Sequence, residues 1–224
     1  MSATTFVLTA GVGGVLTDGA REVGDLSTID PSITSAALRA RSSFVNTLAL
    51  GVTSAGSTVG LTALTLLAAL WLGLRQRQWR TSGLLVLVMV GAAVLTVALK
   101  TWVGRTRPPI TDLISTPSTD PSFPSGHTLN STVFFGMLVL IALRLGRETD
   151  HQAIRPFWLG VLTLIPVAVG MSRVYLGYHW ATDVLGGWAL GLACLASIVL
   201  LWTTWAYPRK DTSPESAADV MSSR

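Results

Sequence analysis

The sequence predicts an all-α membrane protein, a bundle of about six transmembrane helices of which the first is short or incomplete, with one short interfacial helix. Half of the 224 residues are hydrophobic, 12% are charged and the mean hydropathy is +0.54, a composition typical of membrane proteins. Most of the eight tryptophans fall near the ends of apolar segments, as aromatic belts do. We expect residues 1–210 to form a single membrane-embedded domain and residues 211–224 to form a disordered cytoplasmic tail.

The N-terminal region predicts two weaker elements. Residues 5–16 form an apolar run of twelve residues, and a helix of that length spans ~18 Å against a hydrocarbon core of ~30 Å. We interpret it as the end of a first helix that is short or begins upstream. Asp30 followed by Pro31 is typical of a helix start, so residues 31–44 are predicted to form a short helix along the membrane surface, with a linker helix as the alternative.

Five stronger apolar segments follow, at residues 48–74, 82–99, 128–145, 156–171 and 184–206. The loops at 75–80 and 144–155 and the tail at 209–210 are basic, which predicts that they are cytoplasmic. The protein is therefore expected to cross the cell membrane several times. The positive residues are spread among short loops without a basic stripe, so no nucleic-acid partner is expected. The single cysteine, Cys194, excludes a disulfide framework and a zinc-binding cysteine cluster.

One cluster of polar residues lies at the end of an apolar segment, between residues 172 and 183. If the chain after Gly177 is helical, His179 and Asp183 share a face, and the carboxylate holds one imidazole nitrogen while the other points outward. A histidine nucleophile or base is oriented in this way. Arg173 adds a guanidinium, which suits a phosphate oxygen pair. On this stretch alone, a loop arginine, an interfacial histidine and a chance aspartate are an equal alternative.

Two further clusters are predicted at the same extracytoplasmic face. Lys100 and Arg107 are seven residues apart and would share a helical face for two turns before two prolines stop the helix. Ser125, Gly126 and His127 precede the apolar run at 128, a helix entrance at which backbone N–H groups attract an anion. Together the three clusters fit a phosphate held between a nucleophile and an acid.

The three clusters resemble the signature motifs of the type-2 phosphatidic-acid-phosphatase family: Lys100-x6-Arg107-Pro108, Pro124-Ser125-Gly126-His127 and Ser172-Arg173-x5-His179-x3-Asp183. The resemblance implies a six-helix bundle that dephosphorylates lipid phosphates or pyrophosphates through a phosphohistidine, without metal or other cofactor. It makes His179 the nucleophile, Asp183 its orienting partner and His127 the acid at the leaving oxygen. It also implies that the phosphoryl group is bound by Lys100, Arg107, Ser125, Gly126 and Arg173.

The sequence leaves the substrate open, because undecaprenyl pyrophosphate, phosphatidylglycerophosphate and phosphatidic acid all carry a terminal phosphoryl group beside an apolar tail. A lipid-phosphate transferase and a non-catalytic lipid-binding protein on the same bundle are alternatives. Vanadium-dependent haloperoxidases share the motifs, but they are soluble. The carboxylates are scattered singly, so no cage for a hard cation is expected. The loop at 109–123 is interpreted as a solvated linker, with a role in headgroup access as the alternative.

Overall fold

A computed structural model describes residues 25–114, 116–145 and 155–206. Within those ranges the chain forms helices joined by loops and contains no strand. The helices are α1 Asp25–Arg39, α2 Ser43–Ala55, α3 Thr58–Leu74, α4 Trp79–Val103, α5 Gly126–Leu145, α6 Arg155–Tyr175 and α7 Ala181–Ala206, with a 3-10 turn at Ile110–Asp112. The predicted all-α fold class is confirmed over this part of the chain.

Four helices, α4 to α7, are long and apolar enough to cross a membrane. Helices α2 and α3 meet the same requirement only as a pair, which is bent by 50°. By length and composition, the described residues therefore contain four candidate spans, or five if that pair counts as one. The prediction of about six spans stays a prediction. The short segment at 5–16 and the tail at 211–224 both lie outside the described residues.

The apolar segment at 48–74 contains parts of two helices, because the chain breaks at Gly56 and Ser57. The Gly56 N–H ends α2 by donating to the carbonyl of Thr53 (3.0 Å), and the Ser57 hydroxyl begins α3 by accepting from the Gly60 N–H (3.0 Å). A Cβ on Gly56 would lie 2.4 Å from Val169 of α6. The break thus lets α2 pack against α6 while α3 packs against α4.

The predicted boundaries of the short N-terminal helix are wrong. Helix α1 includes Asp25 and ends at Arg39, so Pro31 lies inside it, and Phe44 belongs to α2. The physical reason is that Asp30 does not cap its own helix. Its carboxylate instead accepts a hydrogen bond from the backbone N–H of Thr182 in α7, at 3.0 Å. This contact ties α1 to the start of α7.

Helix α5 is the centre of the bundle and packs against α3, α4, α6 and α7. Two glycines of α7 allow a close approach to α5: a Cβ on Gly187 would lie 2.9 Å from Thr128, and one on Gly191 would lie 2.7 Å from Thr132. The N-terminal ends of α5 and α7 are therefore neighbours. The buried side chains of α5 form most of the core with Leu61, Leu72, Leu85 and Ala92.

Candidate active site

The C-terminal ends of α4 and α6, the N-terminal end of α5 and the turn before α7 surround a cavity of about 600 Å³. Six of the eight site residues predicted from the sequence line it: Lys100, Arg107, Gly126, His127, Arg173 and His179. The other two, Ser125 and Asp183, are fully buried beside it. The cavity also has apolar walls contributed by α3 and α4, which include Leu61, Leu66, Val86, Met89, Val90 and Val97.

Lys100 and Arg107 converge, but not on one helical face as the spacing predicted. Helix α4 ends at Val103, because Gly104 adopts a left-handed conformation (φ 66°) and its N–H donates to the Lys100 carbonyl at 2.9 Å. Arg107 therefore lies in the following loop. Its guanidinium donates to the carbonyl of Tyr178 at 2.7 Å, which directs it toward the third motif.

Both cations contact Asp120, a residue in the loop that was interpreted as a solvated linker. Its carboxylate lies 2.7 Å from Nζ of Lys100 and 2.9 Å from a terminal nitrogen of Arg107. Burial alone would raise the pKa of Asp120, but hydrogen bonds from Lys100 and Ser118 and the positive charges hold that pKa well below its usual range. A carboxylate thus lies against the cations that the motifs assign to a phosphoryl group. An acidic residue between two motifs is visible in the sequence, but nothing there distinguishes Asp120 from Asp112.

The second motif begins α5 two residues before the apolar run. Ser125 donates its N–H to the carbonyl of Asp183 (3.1 Å) and its hydroxyl accepts from Thr128 (2.9 Å), so the serine joins α5 to α7 and is not part of the cavity wall. A Cβ on Gly126 would lie 3.0 Å from the Cγ2 atom of Thr96, so the glycine lets the start of α5 approach α4 closely. His127 lines the cavity, and its imidazole has no hydrogen-bond partner among the described residues.

The third motif turns sharply after α6. Gly177 has a φ of 82°, and a Cβ there would lie 2.2 Å from the carbonyl oxygen of Asp112, so glycine is required at this turn. The guanidinium of Arg173 stacks 3.8 Å from the ring centroid of Tyr178 and donates to the Thr53 hydroxyl at 2.9 Å. Its Nε has no partner in the described part of the chain. The turn brings Arg173 and His179 to the same cavity.

His179 lies two residues before α7 and not within it, as the shared helical face would require. Its Nδ1 is nevertheless 3.4 Å from a carboxylate oxygen of Asp183 and 3.4 Å from the Ser122 hydroxyl, and its Nε2 is 3.4 Å from Arg107. Burial lowers the pKa of His179 to about 4, although Asp183 acts to raise it. The imidazole is therefore neutral at neutral pH.

The carboxylate of Asp183 has partners that the motifs do not contain. One oxygen accepts from Arg105 at 2.6 Å. The other accepts from the backbone N–H of Trp180 at 2.9 Å and from the hydroxyl of Ser122. Arg105 stands two residues before Arg107 in the basic cluster, which is the only signal that could have marked it.

The chain matches proteins of known family. Residues 81–208 match the model of the PAP2 superfamily. Phosphatidylglycerophosphatase B of Bacillus subtilis is 34% identical over 165 residues, 73% of this chain and 78% of that protein. Decaprenylphosphoryl-5-phosphoribose phosphatase of Mycobacterium tuberculosis is 36% identical over 144 residues, 63% of this chain and 70% of that protein. The crystal structure of a transmembrane PAP2-type phosphatidylglycerolphosphate phosphatase from Bacillus subtilis superposes with a TM-score of 0.77 and 26% identity, over 93% of this chain and 97% of that one.

Proposed function

This chain belongs to the PAP2 superfamily of lipid phosphatases, and on that premise we propose that it removes the terminal phosphate of a lipid phosphate through a phosphohistidine intermediate. The observation that carries the proposal is the convergence of three cations and two histidines on one cavity with apolar walls. Phosphatidylglycerophosphate is the first candidate substrate, because a relative and a similar structure are named for it. Phosphatidic acid and undecaprenyl pyrophosphate are the other candidates.

In the first step, Nε2 of His179 attacks phosphorus and the bond from phosphorus to the lipid oxygen breaks. His127, as imidazolium, gives its proton to that oxygen, so the lipid leaves protonated. Asp183 supports the attack, since an Nδ1–H directed at the carboxylate leaves the lone pair on Nε2. The 3.4 Å separation of Nε2 from Arg107 puts a guanidinium beside the attacking atom.

In the second step, neutral His127 takes a proton from water, whose oxygen attacks phosphorus while the bond to Nε2 breaks. Inorganic phosphate leaves and His179 is regenerated. The charge on the transferring group is balanced by Lys100, Arg107 and Arg173, which is the positioning and electrostatic work that phosphoryl transfer needs. We therefore propose that no metal ion is required.

The proposal is tested with purified protein in detergent and the three candidate lipids, by measuring phosphate release with and without EDTA. His179→Ala should abolish release, whereas His151→Ala, a change at the one histidine outside the three motifs, should not. Release that requires an added acceptor other than water would indicate a transferase. Binding of the lipids without any turnover would indicate a lipid-binding protein, and full dependence on magnesium would contradict the metal-free mechanism.

We also propose that the site faces the extracytoplasmic side of the cell membrane, because the basic loop at 75–80 is expected to be cytoplasmic. Single cysteines at Thr119, an exposed residue of the loop beside the site, and at the exposed Gln78, in a Cys194→Ser background, report the two faces when intact cells are treated with an impermeant thiol reagent. Permeabilised cells control for the reactivity of either position. Labelling of position 78 but not 119 in intact cells would reverse the orientation.

A further inference from the structure

Three charged side chains, two of them buried and one largely buried, form a chain of ion pairs behind His179. Arg105, in the loop after α4, binds Asp30 of α1 with one terminal nitrogen (2.8 Å) and Asp183 of α7 with the other (2.6 Å). Asp30 is 2% exposed and Asp183 is fully buried. Only Asp183 belongs to the motifs, and Asp30 precedes the segment that matches the family.

Asp30 is also bound to the first turn of α7. Its carboxylate accepts from the backbone N–H of Thr182 at 3.0 Å and from the Thr182 hydroxyl at 2.6 Å. The same hydroxyl accepts from Arg105 at 2.7 Å. Because Thr182 adjoins Asp183, the pair of Asp30 and Arg105 determines where that turn, and hence the Asp183 carboxylate, is held.

The two oxygens of Asp183 depend on different partners. The Oδ2 atom contacts Trp180, Ser122 and the Nδ1 of His179. The Oδ1 atom is bound by Arg105 alone among the described residues. Without Arg105 a fully buried carboxylate oxygen would lack a donor, which is costly, and the carboxylate would be free to turn away from the imidazole.

The charge of this chain matters as well as its geometry. One guanidinium and two carboxylates sum to −1. Attack by Nε2 on phosphorus makes the imidazole of His179 cationic, and a fixed negative charge behind Nδ1 favours that change. Without the carboxylate of Asp30, the charges of Arg105 and Asp183 would sum to zero.

The other groups that face His179 do not replace this charge. Arg107 approaches Nε2, and Arg173 from α6 and His127 from α5 act on the imidazole electrostatically. All three are cationic or neutral. Asp120, the acidic residue on the loop side, is held by two cations of the site.

We propose that Asp30 and Arg105 are positioning residues for the catalytic histidine, which orient the Asp183 carboxylate and keep one net negative charge behind His179. This inference rests on the proposed phosphohistidine mechanism. It gives α1, which lies outside the family match, a part in the reaction. If the pair were only a buried salt bridge that docks α1, its loss would alter stability and leave the chemistry of the site unchanged.

The test compares Asp30→Asn with the parent protein and with Asp112→Asn. The control removes the charge of a carboxylate that, among the described residues, accepts a side-chain hydrogen bond only from the neighbouring Thr111 hydroxyl, at 3.4 Å. Phosphohistidine formation from an aryl phosphate is followed by rapid quench across a range of pH with the full-length protein in detergent. We expect Asp30→Asn to slow this step by about 10- to 100-fold, by analogy with the loss seen when a residue that orients a metal-bound histidine is replaced. KM should be nearly unchanged. The decline of the rate of phosphohistidine formation at low pH, which we call the acid limb, should move to lower pH, and the control should match the parent.

A second variant keeps the test independent of the folding of Asp30→Asn. Arg105→Lys retains the charge, but one ammonium cannot hold two carboxylates in a planar fork, so the step should slow by about tenfold while the acid limb stays in place. A parent-like rate in Arg105→Lys, or a parent-like rate and pH profile in Asp30→Asn, would overturn the inference. Absence of phosphohistidine in the parent would instead refute the proposed mechanism, whatever the variants do.

Discussion

Replacing Asp120 by asparagine should tighten the binding of phosphate, because the carboxylate lies against the two cations that we assign to the phosphoryl group. The Asp120 side chain is 46% exposed and its ion pairs measure 2.7 and 2.9 Å. Exposed pairs of this kind are worth ~0.2–1 kcal/mol each. An incoming phosphate must displace both, so their removal is worth about 0.4–2 kcal/mol, or a roughly 2- to 30-fold lower inhibition constant at tenfold per ~1.4 kcal/mol.

The assay is competitive inhibition of lipid hydrolysis by inorganic phosphate and by vanadate, with the parent, Asp120→Asn and Asp112→Asn. The last variant neutralises the other aspartate of the same loop, which contacts neither cation through its side chain in the described structure, and its inhibition constants should match those of the parent. A higher inhibition constant in Asp120→Asn would refute the reasoning. It would mean that the carboxylate organises Lys100 and Arg107 for the ligand and does not compete with it.

Three further predictions concern the reacting groups. Arg173→Lys should lose on the order of 10²-fold in kcat/KM, as enzymes do when one preorganised donor is removed. The reason is that an ammonium cannot reproduce the planar guanidinium that stacks on Tyr178. A kcat/KM near that of the parent would contradict this. His127→Ala should lose ~10²- to 10⁴-fold with an alkyl phosphate yet still accumulate phosphohistidine from an aryl phosphate, and label on His127 in His179→Ala would reverse the two roles. Because burial holds the pKa of His179 at about 4, phosphohistidine formation from an aryl phosphate should stay level as the pH falls through 6.5 and decline only near 4. In the unfolded chain the pKa of His179 is near 6.5, so His179 should also lower the free energy of unfolding as the pH falls from 6.5 to 4. A rate of phosphohistidine formation that already declines at pH 6.5 would contradict the buried environment of His179.

The convergence of the motifs was predictable, whereas the backbone that produces it was not. Spacing alone placed Lys100 and Arg107 on one helix, but Gly104 ends α4 between them and a loop carries Arg107 to the site. Either geometry is compatible with the same seven-residue spacing, since a glycine inside a helical pattern can be tolerated or can end the helix.

The supporting residues were missed for a different reason. Asp30 followed by Pro31 is a strong local signal for a helix start, but a tertiary contact with Arg105 and Thr182 determines what Asp30 does. The partners are separated by 75 and 152 residues. The periodicity of residues along one helix gives no information on contacts between residues so far apart in the sequence. The ion pair between Asp30 and Arg105 can therefore be seen only in the folded chain.

The apolar wall of the cavity has a consequence for kinetics. Leu66, Val90 and Val97 line the cavity and are each more than half exposed, so the cavity is open along the apolar residues of α3 and α4, and we expect a lipid substrate to enter there. The protein meets a substrate that enters by this route through diffusion within the bilayer or micelle. The turnover rate should therefore depend on the mole fraction of the substrate there. Extra detergent at constant total lipid should therefore slow the reaction by surface dilution, and Michaelis constants from different preparations become comparable only when they are expressed as mole fractions.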